Sequence, residues 1–173
     1  MDVTGDELAG VVDLFGGLTA DELGGALAEL AYKRGEEYDT GAFEDEIAEA
    51  IGTYHLIRLD AETAVKIDTE ESPADGRAID DAELLVPGPV AFPALPDGAA
   101  DLPHILDISE RQVERETVVS TAVERFRADV TEATQAEMDE WKAGLLEVSY
   151  ELEAWAAVDL AEERDRLEPD ENP

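Results

Sequence analysis

The chain has no cysteine among its 173 residues. Disulfides, thiolate nucleophiles and cysteine-ligated metal centres are therefore excluded. Positive charge is nearly as scarce: 12 Lys and Arg stand against 45 Asp and Glu, giving a net charge of −33. Aromatic residues make up only 6%. No run reaches the ~18 apolar residues of a membrane span. The N-terminal residues also lack the basic and apolar regions of a leader, so a soluble, cytoplasmic protein without a membrane role is expected. Catalytic fingerprints are missing too: there is no G-x-S-x-G, P-loop or dinucleotide motif. The pairs Gly16-Gly17 and Gly24-Gly25 do not follow the strand that a phosphate loop needs.

What is present is acid along the whole chain together with 44% hydrophobic residues. A disordered acidic tail has neither property. The charge fits two settings: attraction of a cationic partner, or a surface adapted to molar salt, where the Debye length falls to ~3 Å and self-repulsion is screened. Basic usage favours the second. Only Lys33, Lys66 and Lys142 are lysines and the other bases are arginines, the profile of a halophilic protein bathed in concentrated monovalent salt.

Local order begins with a doubled phrase. Thr4 with Glu7, and Thr19 with Glu22, are two capping boxes. Behind the first, Leu8, Val11, Val12 and Phe15 share a helical face; behind the second, Leu23, Leu27, Leu30 and Ala31 do. Lys33-Arg34-Gly35 is a helix stop. Asp39 or Thr40 starts a third helix, with Phe43, Ile47, Ala50 and Ile51 facing inward. The period then changes to two: Ile57-Arg58-Leu59 and Val65-Lys66-Ile67 flank Asp60–Thr63 and predict a β-hairpin. Two glycines inside the second helix, Gly24 and Gly25, cost roughly 1 kcal/mol each relative to alanine, which suggests close approach by another element.

Residues 69–82 are polar and read as a loop, and the stretch from Leu84 to Ile108 then carries Pro87, Pro89, Pro93, Pro96 and Pro103. Helix is excluded there, and regular central strand nearly so. An apolar connector lying on the core is expected. Between Ser109, a plausible N-cap, and Glu168 there is no proline and Gly144 is the only glycine. Val119, Val123, Phe126 and Val130 form a seam that resumes, after a stutter around Thr131–Met138, with Met138, Trp141, Leu145, Val148, Leu152 and Trp155. With no Gly, Pro or Asn at the stutter, the spacing favours one long helix over a folded-back hairpin, and this seam as the surface for a partner or a homodimer.

The expected fold is thus mainly α with a small β-hairpin: a winged-helix-like domain over 1–70, the connector over 71–108, a long amphipathic helical segment over 109–168 and a disordered tail at 169–173. Catalytic chemistry finds no support. Asp101, His104 and Asp107 recur at steps of three, but acids stand near any histidine in so acidic a chain, and neither metal nor cofactor is expected. His55 sits at the helix-to-hairpin junction. DNA readout wants basic or amide side chains early in the third helix. That helix offers Glu44, Asp45, Glu46 and Glu49 instead, and the nearest cations are Lys33, Arg34 and Arg58. A protein-interaction or assembly module is the leading expectation, with a DNA-binding regulator as its alternative.

The stretches ELAGVVDLFGGLTADELGGALAELAYKRGEEYD and LLVPGPVAFPALPDGAADLPHILDI resemble a haloarchaeal family of uncharacterised proteins. That resemblance implies no activity and carries over no functional residue. The order of the N-terminal elements also resembles winged-helix regulators, by architecture alone.

Overall fold

A computed structural model describes residues 1–37, 39–60, 83–108 and 110–168. The protein is mainly helical, with a small three-stranded antiparallel sheet. Its contacts divide it into two units, Met1–Val118 and Val119–Pro173.

In the first unit, α1 (Gly5–Leu14) and α2 (Ala20–Arg34) begin at the doubled phrase. At each start the threonine hydroxyl accepts from the glutamate N–H, at 3.1 and 3.2 Å, while the carboxylate accepts from the threonine N–H at 2.9 Å. Orphan donors of the first turn are thereby satisfied. The Asp39 carboxylate caps α3 (Thr40–Gly52) by accepting from Gly41 and Ala42. The three apolar faces meet in one core that includes Leu8, Val12, Phe15, Leu27, Leu30 and Phe43.

The sheet departs from the sequence expectation. Between α1 and α2, Leu18–Thr19 forms a short strand, β1. After α3 comes β2 (Leu56–Asp60), whose partner is β3 (Glu83–Pro87). The expected partner, Val65-Lys66-Ile67, lies outside the described residues. β3 pairs with both β1 and β2 and is the central strand, in the order β1-β3-β2. The proline-based exclusion of a central strand was thus incorrect for Leu84-Leu85-Val86, which is buried. The reason is geometric. Gly88 N–H donates to the His55 carbonyl at 2.8 Å, and donors alternate sides along a strand, so the Pro87 nitrogen points away from β2. On its other side β1 pairs only with Leu84 and Leu85. No ladder bond asks for the N–H that Pro87 lacks.

The rest of the expected connector belongs to this same unit. Ala94 N–H donates to the Asp6 carbonyl at 3.0 Å, and Phe92 N–H to the Asp6 carboxylate at 2.9 Å. This straps the proline-rich chain over α1. Gly10 permits the approach, because a Cβ there would run into the Ala94 carbonyl. A 3₁₀ turn (Ala99–Asp101) and a one-turn helix, α4 (Leu102–Ile105), follow, so the exclusion of helix was also incorrect: Pro103 stands in the first turn, where its missing N–H has no intrahelical bond to make. Leu102 is buried, whereas Phe92, Leu95 and Ile105 are exposed.

The C-terminal segment is not one long helix. Ser109 and the tail at 169–173 lie outside the described residues. Helix α5 spans Arg115–Gln135, α6 spans Asp139–Trp155 and α7 spans Ala161–Leu167. At the stutter, Glu137 takes φ 53°, Glu137 N–H donates to the Thr134 carbonyl and Met138 N–H to the Ala133 carbonyl. That bonding pair is a Schellman ending, with glutamate where glycine is usual. α7 is tied to both longer helices. Arg127 meets Glu163 at 2.8 Å, Arg166 donates to Thr131, and Glu153 accepts from Arg164 at 2.6 Å and from the Leu160 N–H.

Candidate interaction surface

The ten seam residues divide into three groups. Val123, Phe126, Val130, Leu145 and Leu152 are buried within the single chain, so no second copy is needed to cover them. Val119, Trp141, Val148 and Trp155 are half-buried, and Met138 is 52% exposed.

The three cations nearest α3 are each engaged by the chain itself. Lys33 lies 3.4 Å from Asp101, Arg34 donates twice to the Asp97 carbonyl, and Arg58 lies 3.5 Å from Glu83. The acids of α3 differ among themselves. Glu44, Asp45 and Glu49 are exposed, while Glu46 is half-buried. Burial, with help from the Asp2 and Glu49 carboxylates, pushes Glu46 above the usual carboxylate range against the opposing Val3 N–H and chain amine. Glu46 is thus set apart from the exposed acids beside it on the same helix.

One ion pair in this unit had no sequence signal. The Arg111 guanidinium grips the Glu22 carboxylate with two bonds, 2.6 and 2.7 Å, and donates to the Gly17 carbonyl at 3.0 Å. Arg111 N–H also bonds the Phe15 carbonyl at 2.7 Å. Glu22 was legible as a capping residue, but its partner stands 89 residues away. Burial alone would raise the Glu22 pKa; the Arg111 bonds and the Thr19 cap outweigh it and hold the carboxyl below its ordinary value.

His104 is exposed. His55 Nδ1 lies 2.7 Å from the Thr53 hydroxyl, and Nε2 lies 3.7 Å from Asp6. That hydroxyl itself donates to the Glu49 carbonyl at 2.9 Å, so it serves as a helix-end tie. Among the described residues, no group of three His, Asp or Glu could hold a metal ion.

In the first unit a cleft of about 320 Å³ lies between the start of α2, α3 and the sheet. Phe43, Ile47, Ile51 and Leu85 form its floor, and Gly24 and Gly25 stand in one wall. Asp21, Glu44, Glu83 and Arg58 border it. The interior glycines noted in the sequence are thus located. No atom lies within 4 Å of a Cβ built on Gly25, so no element of the described fold requires that glycine.

No helix among the described residues is long and apolar enough to cross a membrane. No curated protein and no solved structure matches the chain. A sequence profile does, over residues 6–172, and the chain accordingly belongs to a family of unknown function, DUF7109.

Proposed function

We propose that this chain is a non-enzymatic protein–protein interaction or assembly module of a halophilic, haloarchaeal cytoplasm, built on a winged-helix-like first unit. The element order α1-β1-α2-α3-β2-β3 and the sheet order β1-β3-β2 support the winged-helix reading. In that architecture the third helix is the element that enters a DNA groove. The observation that carries the proposal is the chemistry of this helix: Glu44, Asp45, Glu46 and Glu49, without one Lys or Arg. Phosphates repel such a face, and base edges find no arginine or amide on it. Lys33, Arg34 and Arg58 are held by oxygens of their own chain, which further weakens the regulator alternative.

Self-association through the second unit is the simplest assembly, because Trp141, Val148 and Trp155 keep part of their surface in solvent. Two measurements test the reading. Light scattering in molar KCl is expected to give a dimer or a stoichiometric complex with a protein partner; a monomer that captures no protein opposes it. Chromatin immunoprecipitation is expected to return uniform background. Sequence-selective recovery, lost in Arg34→Ala and Arg58→Ala, overturns it in favour of DNA regulation.

A further inference from the structure

We draw no further inference here: the strongest candidate, the exposed apolar run Phe92-Pro93-Ala94-Leu95 of the strap over α1, carries nothing, because nothing in the structure shows what covers it.

Discussion

The first unit buries its helices against a sheet, whereas the second has helices alone among its described residues. The difference shows in what joins their elements. Around the sheet, large side chains such as Leu8, Phe15, Leu18, Leu27, Leu56 and Leu84 are fully buried. Among the described residues the second unit buries fewer such groups, chiefly Phe126, Val130, Leu145, Leu152, Leu160 and Leu167, together with the side chain of Ser149. Its helices are instead linked by arginine: Arg127 to Glu163, Arg164 to Glu153 and Arg166 to Thr131. Arg164 also lies over the Tyr150 ring, 4.8 Å from its centre. Where the core is small, scarce cations act as cross-links between elements, and guanidinium forks suit that task. In the first unit the two-bond grip of Arg111 on Glu22 stands beside the core rather than in place of it.

The widest test of this contrast is truncation of a buried ring in each unit. Phe15→Ala and Phe126→Ala are each expected to cost about 3–5 kcal/mol. Both tryptophans, Trp141 and Trp155, lie in the second unit, so fluorescence follows that unit while circular dichroism follows both. Phe15→Ala is expected to shift the dichroism transition and leave the tryptophan transition in place. If both signals shift together, the two units unfold as one.

Next in size is the Arg111–Glu22 link. Arg111→Met or Glu22→Gln is expected to cost about 1.5–3 kcal/mol, the scale of a hydrogen bond to a charged group. The folded pKa of Glu22 lies below its ordinary value of 4.5. Its stabilisation is therefore complete above that value and fades as pH falls through the folded pKa. Urea midpoints of the native chain should drop on acidification, and those of Glu22→Gln should drop less. Parallel acid limbs refute the assignment.

Helix endings give a smaller and more pointed comparison. Gly35 in the first unit and Glu137 in the second both take the left-handed conformation and close the same pair of bonds. Gly35→Ala is expected to lose about 1 kcal/mol and Glu137→Gly to gain about as much, since only one of the native residues lacks a Cβ. Thermal melts of the pair check this; a loss in both variants means that the Glu137 side chain contributes to the ending. The smallest effect belongs to Lys33→Ala. Its bond to Asp101 is exposed on the acid side, so the change is expected to stay within about 1 kcal/mol and to shrink further with added salt.

These endings also show why some features were legible and others not. Gly35 announces its turn, but Glu137 and Tyr54, which ends α3 with φ 65°, are residues that rarely take that conformation. Tyr54 is held there by its buried ring, a tertiary cause that no four-residue window contains. For the same reason, the missing turn signal at the stutter led to an expectation of one long helix.

The sequence by itself determined the starts of α1, α2 and α3, their inward faces and the acid of the surface. Each follows from interactions reaching no further than a helical turn, or from composition. Only the tertiary structure decided that Leu84-Leu85-Val86 would be a central strand, that Arg111 would hold Glu22 and that Gly25 would stand open on a cleft. Those outcomes depend on which distant segments meet, and hydrogen bonds across 89 residues leave no periodicity to read.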